Sequence, residues 1–437
     1  MEKGKVYLFF SLLFIFTLIL GACSSKDTGT NKDSDGSGEI TLGIWGASDE
    51  IKREQQLIDS FNDKYPEVKV NLVYKSWDSY WNWLTSQASS KDLPDLYKID
   101  PAYVNQYAKL GVMKDLGDLI NSSDFDLSNF SPNVLDIHRF EDQQVSLPRD
   151  ANVIVMAYNK DIFDEADLQY PEDEMSWEQV LELAKKLTLD QDGNNALSSS
   201  FDSKRIKQFG LAINAAGTAD SVLEPELWSN GARLLDEDHK LALSSPEAIE
   251  VLNFFRDLTT KYHVNVPASQ MEKLGDDPFL VLGSKRVAMS FIGSWNVQTL
   301  KDAGINFDVF LPPKFDEIQA VVQPAGYAMS PYTKNEKAAW KLLSWLAGSE
   351  GQKEIAKQGH AIPANKMAFE DYLPNDDSFN KQIFFEAQSK SIPDPYFEDV
   401  TKLWWEYIPQ KLQLPLNGKG DIEKAVDEIA NLWDSKH

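Results

Sequence analysis

Two groups of residues in this chain have the types and spacing to do chemistry. The first lies in LDQDGNNA, residues 189–196, where Asp190, Asp192 and Asn194 stand at alternate positions and Gly193 permits a sharp reversal. Oxygen ligands converge on calcium in this way, so a structural calcium is one reading of the loop, and no cofactor is required. Asp202 adds an oxygen if the chain folds back. The loop lacks the glycine at the sixth position and the glutamate at the twelfth that mark a calcium hand, so a hydrogen-bonded Asp/Asn/Gly turn is the competing reading. The second group is aromatic and polar. Trp45, Trp77, Trp81, Trp228, Trp295 and Tyr327 fall at or near expected strand ends or in loops, beside Asp49, Asp100, Asp150, Asn152, Asn230 and Asn296. A sugar presents C–H groups on its faces and hydroxyls at its edge, so flat rings interleaved with carboxylates and amides suit it. In particular, Trp228-Ser229-Asn230-Gly231 reads as a turn that exposes its indole.

Catalytic signatures are missing. The chain has no GxGxxG after a strand, no GxxxxGK[ST], no HExxH and no GxSxG. Its histidines, at 138, 239, 263, 360 and 437, form no local metal-ligand spacing. Paired carboxylates for glycoside hydrolysis meet only in space, so the sequence neither supports nor removes them.

The single cysteine, Cys23, follows a charged start (MEKGK), an apolar run from Val6 to Leu20 and the small residues Gly21 and Ala22. These are the parts of a secretory signal peptide, expected over residues 1–22, and the apolar run is short of the roughly 20 residues a membrane span needs. The box Leu20-Gly21-Ala22-Cys23 resembles the processing site of bacterial lipoproteins, in which the new N-terminal cysteine carries lipid. That resemblance implies an extracytoplasmic protein held at the cell membrane by acyl chains on Cys23, with 23–38 as lipidated N-terminus and flexible linker.

Loss of the leader, with two lysines and one glutamate, moves the formal charge from -25 to -26. So acidic a surface repels nucleic acid, and no nucleic-acid partner is expected. The remaining length favours two bodies over one core. EITLGIW, VKVNLVY and the short run 96–99 read as strands, separated by helical spacing over 50–64 and 77–89, the alternation of an α/β fold. Further on, 153–157, 285–291 and 307–311 read as strands, and 160–164, 180–187, 246–262, 333–347 and 422–433 as helices.

Four segments in this order, LPRDANVIVMAYNKDIFDEADL, LWSNGARLLDEDHKLALSSPEAIEVLNFFRDL, RVAMSFIGSWNVQTL and PAGYAMSPYTKNEKAAWKLLSWLAGSEGQKEIAKQGHAIPANK, resemble the extracellular solute-binding proteins of ABC importers that serve sugars, relatives of the maltose-binding protein. The resemblance implies a two-lobed α/β fold of type II, each lobe a mostly parallel sheet flanked by helices, with ligand in the cleft between. It places the N-terminal lobe at 39–148 and 291–328 and the C-terminal lobe at 149–290 and 329–437, with crossings near 145–149, 290–295 and 327–331. Carried over motif by motif, the ligand contacts are Trp45, Asp100, Asp150, Asn152, Trp228, Trp295, Gly326 and Tyr327. The implied function is capture of a mono- or oligosaccharide by a monomer that delivers it to a membrane permease, without chemistry on the sugar. A surface-tethered carbohydrate-active enzyme and a non-transport scaffold or sensor are the alternatives.

Overall fold

The structure, a computed structural model, describes residues 36–271, 273–275, 277–359, 361–372, 376–392, 396 and 399–435. The expected leader, Cys23 and most of the linker lie outside the described residues. From Gly36 the chain forms a single compact unit.

The first sheet is built by β1 (Gly38–Trp45), β2 (Val68–Lys75), β3 (Leu96–Ile99), β6 (Ser146–Pro148) and β13 (Gly326–Met329), in the order β2-β1-β3-β13-β6. A two-stranded ribbon of β4 (Arg139–Phe140) and β5 (Gln143–Gln144) precedes β6. The second sheet contains β7 (Asn152–Asn159), β8 (Leu189–Asp190), β9 (Ile206–Ala212), β10 (Val287–Gly293), β12 (Ala320–Gln323) and β14 (Ser391–Ile392), in the order β14-β12-β7-β10-β9-β8, while β11 (Phe307–Phe310) also pairs with β7. Pairing is parallel for β1 with β2 and β3, β9 with β10, and β12 with β14. β7 and β13, which follow the passages after β6 and β12, run antiparallel to their neighbours. Both sheets are therefore mixed.

This pairing locates the passages between sheets. The chain passes from β6 to β7 through 149–151, returns from β12 to β13 through 324–325, and passes to the second sheet again between β13 and β14. The expected crossing near 290–295 is not one: β10 stays in the second sheet to Gly293, and β11 and β12 both pair with β7 after it. The strands at 307–310 and 320–323 thus belong with the second sheet, although 291–328 was expected in the N-terminal lobe. Periodicity shows a strand but not its neighbour, and β7 has two edges on which the later strands can pair.

Local sequence explains the elements that carry the site. Helix α1 (Ser48–Lys64) starts where the Glu50 carboxylate accepts from Ala47 N at 2.6 Å, with Asp49 and Glu50 in its first turn and Lys64 in its last, matching the helix dipole. Its buried stripe is Glu54, Leu57, Ile58 and Phe61, so one carboxylate sits on an apolar face. Helix α2 (Trp77–Ser90) buries Tyr80, Trp81, Leu84 and Ala88. Helix α3 (Pro101–Lys109) is started by Asp100, whose carboxylate accepts from Ala102 N at 3.0 Å, with Pro101 pre-set for the first turn. Strand β7 is buried on both faces: Val153, Val155 and Ala157 face one apolar cluster, Ile154, Met156 and Tyr158 the other. Each of the valine, isoleucine and methionine side chains contributes about 1.5–3 kcal/mol by leaving water, so this strand welds the layers on either side of it.

Candidate ligand cleft

At the C-terminal ends of β1 and β3 the first sheet presents a cluster of rings. Trp45 closes β1 and meets Trp77, Tyr80 and Trp81 of α2 at centroid distances of 5.2, 5.3 and 5.4 Å. Trp81 stacks on Tyr103 of α3 at 3.7 Å. From the second sheet's side comes Trp405, 6.0 Å from Trp77 and 5.7 Å from Tyr103. The neighbours of Trp405 in its own turn, Leu403, Trp404 and Tyr407, are part of the apolar cluster around β7 and β9, whereas Trp81 and Tyr107 belong to the cluster around β3. The rings therefore form a seam between the bodies of the two sheets.

Polar groups line this seam. Burial pushes the Asp100 carboxyl up to about 7; the Ala102 N–H and Lys98 oppose that shift, and the charges of Asp220 and Asp150 add to it. Asp220 accepts from Ser221 Oγ at 2.9 Å and from Gln323 Nε2 at 2.9 Å, and burial raises its pKa against these bonds and one from Trp405. Both Asp220 and Trp405 sit on π-helical turns, Ala219–Leu223 and Leu403–Tyr407. Such turns are rare and recur at functional sites. Lys98 lies with its ammonium 4.1 Å from the Trp45 ring centroid.

Below the seam, a buried polar network ties the passages at 149–151 and 324–325 together. Arg149 Nη2 donates to Glu54 at 2.9 Å, Nη1 to Asp150 at 2.9 Å, and Nε to the Tyr327 hydroxyl at 3.0 Å; that hydroxyl donates to Glu54. Asp150 also accepts from Ala325 N at 2.8 Å, and Gln352 Nε2 donates to the Arg149 carbonyl at 2.7 Å. Burial would raise Glu54, but Arg149, Lys98 and the Tyr327 hydroxyl hold its pKa below the usual range. A paired and fully bonded network of this kind fixes geometry, and breaking one member leaves an uncompensated charge.

The expected site residues separate accordingly. Trp45 and Asp100 meet at the seam. Asp150 and Tyr327 belong to the buried network: Tyr327 has no exposed surface, and its hydroxyl is taken by Glu54 and Arg149, so here it is a strut. Asn152 is buried, with its oxygen accepting from Ser294 Oγ at 2.8 Å and Ile362 N at 3.2 Å. Gly326 is required by close packing, because a Cβ there would stand 2.4 Å from His138 Cε1 and 2.8 Å from the Leu147 carbonyl oxygen. Trp295 is half-buried and meets Phe279 edge-on at 5.8 Å. Trp228 lies in the helix Glu224–Ser229 and is 6% exposed, where a turn with an open indole was expected. That helix is anchored by buried carboxylates that accept from indoles at 2.6 Å, Glu224 from Trp404 and Glu226 from Trp177. Sequence reasoning missed Tyr103, Lys98, Asp220, Gln323 and Trp405; LWWEY reads as ordinary apolar helix, and nothing in it announces a π-helical turn.

In this structure hydrogen bonds close the loop considered for calcium. Asp190 Oδ1 accepts from Asp192 N and Asn194 N, both at 2.9 Å, and Oδ2 from Asn194 Nδ2 and Asp202 N, both at 3.0 Å. Burial would raise its pKa, but these donors lower it to about 2. The carboxylate that should lead a cation site is thus filled with N–H groups, Asn194 turns its amide nitrogen inward, and Asp192 pairs with Arg205 at 3.2 Å. Among the described residues no group of three or more His, Cys, Asp or Glu side chains is placed to hold a metal ion.

Comparison with known proteins places the fold and the sequence among related chains. The family model described as "Bacterial extracellular solute-binding protein" matches residues 56–382. The chain is 23% identical to the galactooligosaccharide-binding protein of Bacillus subtilis, over 98% of this chain and 97% of that one. It is likewise 23% identical to the maltotriose-binding protein of Pyrococcus abyssi, over 92% and 79%. Among solved structures, an ABC substrate-binding protein of Listeria monocytogenes in complex with cycloalternan superposes with a TM-score of 0.81 at 24% identity, covering 91% of this chain and 98% of that one. The maltose/maltodextrin-binding domain of Bdellovibrio bacteriovorus bound to maltotriose gives 0.75 at 19% identity, over 91% and 99%.

Proposed function

The chain belongs to the bacterial extracellular solute-binding proteins, and from that premise we propose that it captures a mono- or oligosaccharide at the aromatic seam and delivers it, unaltered, to the membrane subunits of an ABC importer. The observation that carries this reading is the seam itself. Trp45, Trp77, Trp81 and Tyr103 come from one body, Trp405 from the other, and Asp100 and Asp220 stand beside them. Rings would take the C–H faces of a sugar and the carboxyls its hydroxyls, and closing the bodies over it would exclude water and strengthen those bonds. Trp45 and Asp100 remain proposed contacts, with Trp228 and Trp295 as outlying ones. The protein works as a monomer outside the cytoplasm, tethered through lipid on Cys23.

Indole emission reports the test, because the rings are the site. Titration of galacto-, malto- and arabino-oligosaccharides into the wild-type protein is expected to give a saturable change with at least one of them. Trp405→Ala should weaken that ligand about tenfold or more, the loss of one buried ring contact. An unchanged affinity in Trp405→Ala would place the ligand elsewhere.

A further inference from the structure

The corner where Trp45, Trp81 and Lys98 meet contains two hydrogen-bond donors that lack an acceptor. Lys98 is 7% exposed, and among the described residues its ammonium enters no hydrogen bond or ion pair; its close contact is the Trp45 ring. Trp81 Nε1 is enclosed and also without a partner, while Lys98 keeps a small exposed surface. The neighbouring carboxylates explain why the ammonium is left over. Glu54 and Asp150 turn their oxygens to the Arg149 fork at 2.9 Å each, so Lys98 receives their field, and that of Glu50, without their hydrogen bonds. Burial and the Arg149 charge both lower the pKa of Lys98. A buried donor left unmatched costs free energy in the ligand-free protein, and that cost is recovered when an acceptor arrives.

We propose that Lys98 hydrogen-bonds an oxygen of an uncharged sugar ring beside the Trp45 and Trp81 rings, and that the carboxylates around this ammonium make the corner favour neutral over acidic saccharides. The inference rests on the saccharide reading. The acceptor is uncharged because the corner is already surrounded by carboxylates: Glu50, Glu54 and Asp150 act on Lys98, and Asp220 and Asp150 act on Asp100, with Arg149 the other cation. A sugar carboxylate would enter against that field, whereas a hydroxyl or ring oxygen accepts from the ammonium without adding charge. The competing role for Lys98 is purely structural, as a cation held by the Trp45 face and the nearby carboxylates.

Stability and affinity separate these roles. Calorimetry at pH 7 with galacto-, malto- and arabino-oligosaccharides and with oligogalacturonides identifies what the wild-type protein takes, and Lys98→Met and Lys98→Gln are then titrated with the same saccharide. Lys98→Met should bind it about 10- to 100-fold more weakly, the range for a hydrogen bond to a charged group. Lys98→Gln, which keeps a neutral donor, should fall between. The ligand-free Lys98→Met protein should melt at the wild-type temperature or higher, since a buried unbonded charge has been removed. Wild-type affinity in Lys98→Met would overturn the proposal, as would a drop of several degrees in the melting temperature of both ligand-free variants. Tighter binding of oligogalacturonides than of any neutral saccharide would overturn the specificity while leaving saccharide capture intact. Wild-type silence toward every probe would instead remove the saccharide reading, and this corner with it.

Discussion

Asp100 shows how one side chain serves both fold and site. Its carboxylate starts α3 by accepting from Ala102 N, yet burial beside Asp220 and Asp150 raises its pKa to about 7. The sign of the consequence follows from linkage. The folded protein holds this proton up to about pH 7, whereas the unfolded chain releases it near pH 4, so stability falls as pH rises between those values and stays lowered above them. Asp100→Asn keeps an oxygen for the helix start and removes the titration. The variant should therefore match the wild type near pH 4, gain stability relative to it as pH rises, and bind the saccharide more weakly. Urea midpoints at pH 4, 6 and 8 measure this; parallel pH dependence in both proteins would contradict the environment assigned to Asp100. Asp190 runs the other way, with a folded pKa of about 2, so its contribution is present above about pH 4 and lost on acidification toward pH 2.

At the scale of elements, the positions that look functional in sequence divide between a surface and a frame. Gly326 belongs to the frame. Strand β13 lies between β3 and β6, and His138, whose Nδ1 is 2.8 Å from Ser146 Oγ, packs against the glycine. Gly326→Ala should destabilise the fold by about 1–3 kcal/mol through overpacking against a backbone carbonyl that cannot yield, read as a lower denaturant midpoint with an unchanged slope. An unchanged midpoint would show that the passage into β13 can relax. Most elements were legible from periodicity: β1, β2, β3, α1, α2 and the helix Pro246–Thr260 fall within a few residues of their expected bounds, because each buries a regular stripe. Strand neighbours were not legible. β11 and β12 join β7 through long-range pairing, and the crossing expected near 290–295 was misplaced for that reason. The seam was half legible. Trp45, Trp77 and Trp81 stand out by type and position, whereas Tyr103, Asp220 and Trp405 become site residues only through folding that joins residues about 300 apart. Tyr327 and Asp150, expected as ligand contacts, sit in the buried frame instead.

For the whole molecule, the backbone joins the sheet bodies at 149–151, at 324–325 and again between β13 and β14, and the Arg149 network lies on the first two of these passages. Bodies joined in this way suit hinge closure over a ligand held at the seam. Among the described residues no helix is long and apolar enough to cross a membrane, so the proposed attachment rests on Cys23 and the leader before it. Cys23→Ser should release the protein from the membrane fraction and leave saccharide affinity unchanged; a purified variant with lost affinity would contradict that division between tether and receptor. The central claim is capture without chemistry, and a calorimetric titration with the oligosaccharide that perturbs the indoles, followed by chromatography of the recovered sugar, tests it most directly. The account predicts a saturable heat at one site per chain and sugar recovered intact; cleaved sugar, or no heat with any of the oligosaccharides, would contradict it.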